Sequence, residues 1–440
     1  MNIESPPNSE EMPASESGPP VRRATIIFIF VTILLDVLSL GVVIPVLPQI
    51  IEDDFLGGDT ARAAVYLGLF GTVWALMQFL FSPVLGTLSD RFGRRKVILL
   101  SCFGLGLDYI LMALAPNLIW MFVGRLLSGV TAASFATAGA YIADVTPPEK
   151  RAASYGLIGA AWGIGFIVGP ALGGLLGDFG LTQFGIAGLR IPMWVAAGLT
   201  LLNAAYGYFI LPESLAPENR SRFSWRKANP LGSLKLLRSH SELLGLASVL
   251  LIYQLAHQVF PSVFVLYAGH RYSWGPKTVG ITLMVVGIAS VIMQGFVVRR
   301  TAAMLGERRM LFIALTFGGL GYFIYGIANS GWMFWGAIPV FALVGFFSPA
   351  IQGLMTRRVS AREQGQLQGA NSSLMGIAGM LGPVTFTWVF SAAIRESAPV
   401  NIPGAPFFLA TGLHVLAIIV AVYVLRLGRA KAEGAAEGGQ

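Results

Sequence analysis

The sequence predicts an all-α membrane protein with twelve transmembrane helices in two pseudo-symmetric six-helix bundles. Three observations carry this. Of 440 residues, 55% are hydrophobic and 12% charged, where soluble globular chains carry about 25% charged residues; so much apolar surface needs lipid as its solvent. Twelve apolar stretches occur, each long enough for a hydrocarbon layer about 30 Å thick, which takes roughly 20 helical residues. The second half of the chain also repeats the first at a fixed offset.

In chain order, residues 1–23 are rich in Pro, Ser and Glu and read as a disordered tail. Arg22 and Arg23 precede a stretch that spans, so the first helix is expected to be retained rather than cleaved as a signal peptide. The spans fall near 24–46, 63–84, 97–115, 118–142, 153–177, 190–211, 242–267, 278–298, 309–328, 332–356, 366–393 and 405–426. The longest polar connection, 212–241, is read as a cytoplasmic linker between an N-terminal bundle (24–211) and a C-terminal bundle (242–427), with a flexible tail over 428–440.

With both termini inside, 24 of the 30 Lys and Arg fall in inward segments and five in outward ones, leaving Arg125 alone within a helix. That asymmetry satisfies the positive-inside rule and explains the net charge of +8 as topology; no basic face for nucleic acid remains. A single cysteine, Cys102, rules out a disulfide framework or a cysteine metal cluster.

A shift of 213 lays "SYGLIGAAWGIGFIVGP" (154–170) on "LQGANSSLMGIAGMLGP" (367–383) without a gap, and "RFGRRK" (91–96) on "MLGERR" (304–309). Gly93 meets Gly306 and Gly169-Pro170 meets Gly382-Pro383. Parallel six-helix repeats with a site between them describe a secondary transporter that rocks one half against the other.

The costly residues are acids in apolar runs. Asp36, in "ILLDVLSLGVVIPVLPQI" (33–50), lies about 18 Å along the helix from Ala24, and Asp108 about 17 Å from Val97, both near mid-membrane. An ionised carboxylate there lines a cavity, pairs, or carries protons, and a low dielectric favours its neutral form. Asp36 is read as a proton carrier, against a carboxylate satisfied by Ser39 or a neighbouring helix. Asp108 is read the same way, against a fixed ion pair with Arg125. Arg125 cannot shed its charge, which leaves it as counter-ion to Asp36 or Asp108, as an anchor for an anionic substrate, or as a packing residue.

At the loop between helices two and three, Asp90 ends a helix, Gly93 permits a tight turn, and Gly86, Arg91 and Arg94 complete a candidate cytoplasmic gate in which Asp90 caps a helix of the other half. Asp144 and Arg151 are its expected partners; the plain alternative is basic residues serving topology alone. Gly165, Gly169, Gly173 and Gly174 with Pro170 read as conformational machinery, small residues allowing close approach and proline bending its helix.

Several of these stretches resemble the major facilitator superfamily. "GTLSDRFGRRK" (86–96) is similar to its loop motif and "GRLLSGVTAA" (124–133) to its fourth-helix motif. "GIGFIVGPALGG" (163–174) is similar to the fifth-helix motif of antiporters, and "LLDVLSLGVVIPVLP" (34–48) to the first-helix signature of drug exporters. "YIADVTPPEKR" (141–151), "LPES" (211–214) and "EQGQLQG" (363–369) bring the chain nearest to the tetracycline/proton antiporters. The resemblance implies proton-coupled drug efflux by a monomer in the bacterial inner membrane, without cofactor or metal site, the substrate travelling as a metal chelate if tetracycline-like. It favours Arg125 as counter-ion and places polar substrate contacts in the seventh helix: Gln254, His257 and Gln258, with Asn371 in the eleventh. Those pumps carry a ninth-helix acid; "MLFIALTFGGLGYFIYGIA" (310–328) has none, with Gly318 near the expected place, and His257 is a candidate replacement. No GxxxxGK[ST], HExxH or GxSxG occurs, so an ATP-driven pump or an enzyme is not expected. The alternatives are a proton-linked metabolite carrier and, more remotely, a non-transporting sensor.

Overall fold

The computed structural model describes residues 23–132, 134–225, 229–239, 241–360 and 362–437; most of the expected N-terminal tail lies outside them. Among the described residues, nine stretches are long and apolar enough to cross a membrane. Two of them, Ser154–Ile210 and Pro276–Ile327, run to 57 and 52 residues, far more than the roughly 20 one crossing takes, and each holds two passes. Leu118–Thr131 with Ser134–Val145 makes a further pass, which brings the crossings to twelve.

In order, they are α1 (Arg23–Val43), α2 (Thr60–Phe92), α3 (Arg94–Leu114), α4 (Leu118–Thr131 and Ser134–Val145), α5 (Arg151–Phe184) and α6 (Ile191–Ile210). The second half supplies α7 (Ser241–His257 and Val259–Tyr272), α8 (Pro276–Ile292), α9 (Arg299–Ile327), α10 (Gly331–Ala342 and Phe347–Thr356), α11 (Gln364–Ile394) and α12 (Ala405–Glu437). An even number of crossings puts both described ends on one face, called here the terminal face. Two expectations change. α4 is interrupted at Ala132, which has left helical geometry, and α12 continues to Glu437 because the expected tail is built largely of Ala, Lys and Glu, good helix formers.

The repeat is structural. Gly93 and Gly306 both take left-handed backbone angles, φ 102° and 70°, Gly93 between α2 and α3 and Gly306 at the kink inside Arg299–Ile327 that parts the eighth crossing from the ninth, where a side chain would be strained. Pro170 and Pro383 occupy matching places inside α5 and α11, and each of these helices packs against the opposite half. α11 meets α2 where the Thr72 hydroxyl donates to the Met380 carbonyl (3.0 Å) and Pro383 lies over Gly71. α5 meets α8 where Gly280 presses on the Pro170 carbonyl and on Gly174, so closely that a Cβ on Gly280 would lie 3.0 Å from the Gly174 Cα.

Three cores organise the interior. One gathers Val42, Ile51, Phe70 and Met193 of the first half with Phe264, Tyr322, Phe334 and Phe390 of the second, at the face opposite the termini. The others are confined to single halves at the terminal face: Ile33, Val37, Cys102 and Tyr141 in the first, Leu246, Leu311, Phe347 and Leu374 in the second. The inter-half contacts reach as far as Phe79 on Gly376 and Gly163 on Val291; beyond them, a Cβ on Gly86, Gly156, Gly159, Gly295 or Gly365 would meet nothing within 4 Å. The halves are therefore fused at the far face and parted at the terminal face.

This packing makes a direct prediction. Gly280→Ala overpacks the α5–α8 contact at a cost of about 1–3 kcal/mol, read as a lower melting temperature in detergent, whereas Gly295→Ala, in open space, leaves melting unchanged.

Candidate functional site

The first-half site grows from α1. Asp36 is 3% exposed and faces α3 and α6 rather than the other half. The Asn203 amide of α6 donates to its Oδ1 at 2.9 Å, and to the Thr32 carbonyl at 2.9 Å; the Cys102 thiol of α3 lies 3.9 Å from Oδ2. Ser39, weighed as a partner, instead turns its hydroxyl back to the Leu35 carbonyl. α1 is fixed to its own half by the fifth-helix motif: Gly165 rests on Val37, Gly169 on Gly41 and Gly173 on Val42. The motif thus splits. These glycines, four apart and hence on one face, bind α1, while Gly174 and the Pro170 carbonyl meet α8 across the halves.

Asp108 forms a second, separate cluster. It is fully buried, and the Arg125 guanidinium donates to its Oδ2 at 3.0 Å, with Met112 Sδ also 3.0 Å away. Of the partners left open for Arg125, the structure brings Asp108. Gly124 lets the two approach, since a Cβ there would lie 2.6 Å from Asp108 Oδ1. Cys102, beside Asp36, and Asp108 are six residues apart on α3, about 9 Å along its axis.

At the terminal face Arg94 is the hub. It pairs with Asp90, donates to Asp144 at 3.1 Å and to the Ser89 hydroxyl at 2.7 Å. The carboxylate that caps a helix start here is Glu213, which sequence reading missed: its Oε1 accepts from the Arg94 amide at 2.8 Å and from the Ser214 and Leu215 amides. An anion at a helix N-terminus is stabilised by the helix dipole, and the acid in "LPES", one turn past α6, was the available signal. Gly93 is favoured by its φ of 102°, and a side chain there would also displace the Glu213 carboxylate. Asp90 therefore engages its own half, not the other one. Arg151 closes the end of α4 by donating to the Thr146 and Ala143 carbonyls at 3.1 and 2.9 Å; it is no partner of Asp90. Arg91 lines a surface cavity of about 460 Å³ with Arg220, Arg222 and Phe223, and Gly86 stands in open space.

In the second half, His257 lies among Tyr253, Tyr322 and Phe341 and keeps an exposed surface. Gln254 is half-buried, and Gln258 packs on α11 at Gly382. Asn371 does not join them. It is buried about 16 Å along α11 from Gly382, next to the point where the Ser373 hydroxyl binds the linker at Pro230. Among the described residues, no group of three His, Cys, Asp or Glu is placed to hold a metal ion.

Comparison with known proteins gives a consistent picture. Residues 29–383 match the sequence profile of the Major Facilitator Superfamily. The chain is 37% identical over 368 residues to the tetracycline resistance protein, class C, of Escherichia coli, covering 84% of this chain and 90% of that one. It is 36% identical over 373 residues to the class G protein of Vibrio anguillarum, covering 84% and 91%. A solved bacterial homolog of the human lysosomal transporter Spinster, in an inward-facing and unoccupied conformation, superposes with a TM-score of 0.74 at 16% identity, covering 93% and 98%.

The Asp108–Arg125 pair predicts a non-additive pair of variants. Arg125→Met strands a buried carboxylate and costs about 3–5 kcal/mol. The loss is smaller at acid pH, where a neutral acid is cheaper to bury. Arg125→Met with Asp108→Leu recovers most of the melting temperature.

Proposed function

The chain belongs to the Major Facilitator Superfamily, and from that premise we propose that it exports drug-like small molecules in exchange for protons, by alternating access. It is a transporter and not an enzyme. The observation that carries the proposal is the one-sided joining of the halves: a shared core at the far face and separate cores at the terminal face. A site between such halves is open to one compartment only, and rocking about the α2–α11 and α5–α8 contacts moves the opening to the other.

The terminal face is the cytoplasmic one, because it carries the Lys and Arg excess, and the membrane is the bacterial inner membrane, as befits relatives named tetracycline resistance proteins. Asp36 is the exchangeable proton site. It is buried near mid-membrane, where the Asn203 amide donates to its Oδ1 and the Cys102 thiol lies 3.9 Å from Oδ2, and an acid in a low dielectric favours its neutral form. Asp108 and Arg125 hold each other and fix α3 against α4. Gln254, His257 and Gln258 on α7 offer polar contacts to the substrate in the space between the halves, and the protein works as a monomer. The Asp90–Arg94–Asp144 cluster is the released state of the gate: its carboxylates are satisfied within one half while the terminal face is open.

The relatives' names supply the substrate class, and the absent ninth-helix acid separates drug efflux in general from tetracycline in particular. The test is transport by purified protein in proteoliposomes with an imposed pH gradient, screened over tetracycline and unrelated cationic and neutral drugs. Asp36→Asn is expected to insert normally and to abolish gradient-driven transport; full transport by that variant removes Asp36 from the mechanism.

A further inference from the structure

The second half contains a buried titratable group that the account so far leaves unused. His414 in α12 is 1% exposed. Its Nδ1 lies 3.1 Å from the Ala410 carbonyl one turn back, and a carbonyl only accepts, so Nδ1 carries the hydrogen. Nε2 is then the basic nitrogen. It is buried without a hydrogen-bond partner among the described residues, a costly condition for a polar atom. It is aimed at bare backbone: a Cβ built on Gly318 of α9 would lie 2.8 Å from it.

The titratable groups facing the ring come from two helices. Tyr253 of α7 and Tyr322 of α9 make T-shaped contacts with it at 5.8 and 5.1 Å between ring centroids. Tyr253 stacks on His257 at 5.8 Å and 11°, and the Tyr322 hydroxyl is 3.4 Å from His257 Nδ1. α10 and α11 contain no Asp, Glu, His, Lys, Arg or Tyr over Gly331–Thr356 and Gln364–Ile394. One exposed histidine thus leads, past two tyrosines, to one that is sealed.

We infer that His414 Nε2 is a proton-binding site of the C-terminal half, reached from the space between the halves by way of His257 and Tyr322. The inference deepens the proposed proton exchange and rests on it. Binding adds one proton from water to the Nε2 lone pair, giving an imidazolium; release returns it. Among the described residues no carboxylate neutralises that charge, so the site holds its proton only while the space beside His257 admits water or a substrate with an anionic group, and that condition ties protonation to the state of the transporter.

Two measurements on the full chain test this. The chain has four histidines, so histidine-selective isotope labelling gives four ring signals in detergent, and loss of one in His414→Gln assigns it. As the pH is lowered from about 8 to 5, the His414 signal is expected to move from the neutral towards the imidazolium form, and to shift when tetracycline is added as probe. A signal that stays neutral across that range, with and without the probe, overturns the inference. In proteoliposomes, a gradient of about one pH unit supports roughly tenfold accumulation for each proton exchanged. Wild type is expected to reach that ratio with the probe, and His414→Gln to give none while still exchanging probe downhill. Accumulation by His414→Gln equal to that of wild type overturns the inference and leaves proton-coupled export standing. Wild type that ignores the gradient with tetracycline and with every drug of the screen sinks the export reading, and the ring titration then decides the site by itself.

Discussion

A carboxylate halfway across a bilayer must find its partners inside the protein, and much of the N-terminal half follows from meeting that requirement twice in different ways. Asp108 is met with a full opposite charge, Arg125, at 3.0 Å. Asp36 is met with neutral donors, an amide at 2.9 Å and a thiol. A buried ion pair is expensive to break because one charge is left stranded, so Asp108 and Arg125 hold α3 against α4.

The same half transmits motion. α1, which carries Asp36, is held to α5 by a row of glycines on one helix face, and the opposite face of α5 presses on Gly280 of α8. Backbone is packed on backbone at both contacts, with no long side chains to absorb a shift, so rotation of α5 against α8 carries α1 with it. At the far face a single aromatic and aliphatic core spans both halves; at the terminal face each half has its own. Opening on the far side therefore requires the shared core to part while the two separate ones close, which is the exchange that a rocking carrier performs.

Much of the fold was legible in the sequence, because the bilayer fixes span length. The offset repeat already paired Gly93 with Gly306, and both prove to need left-handed angles. The cost of Asp36 and Asp108 was legible too, but not who meets it. Asn203 is 167 residues from Asp36, an unremarked amide in an apolar helix, and nothing local marks it as a partner. The choice of Asp108 for Arg125 was likewise set by how α3 and α4 pack. Glu213 looked like part of a linker until the chain folded it under Gly93. His414 escaped because a lone histidine in an apolar run is silent until its neighbours are known, and the neighbour here is a glycine.

The central claim is that the halves open alternately to the two faces. It is tested most directly by paired distance measurements between spin labels, with Cys102 buried and out of the way. One pair, at the exposed Phe92 and Met304, reports the terminal face; the other, at the exposed Ile186 and Val400, reports the far face. A change of pH or addition of substrate should shorten the first distance and lengthen the second in the same population. Distances that stay fixed at both faces, or that change together in the same direction, would contradict the account.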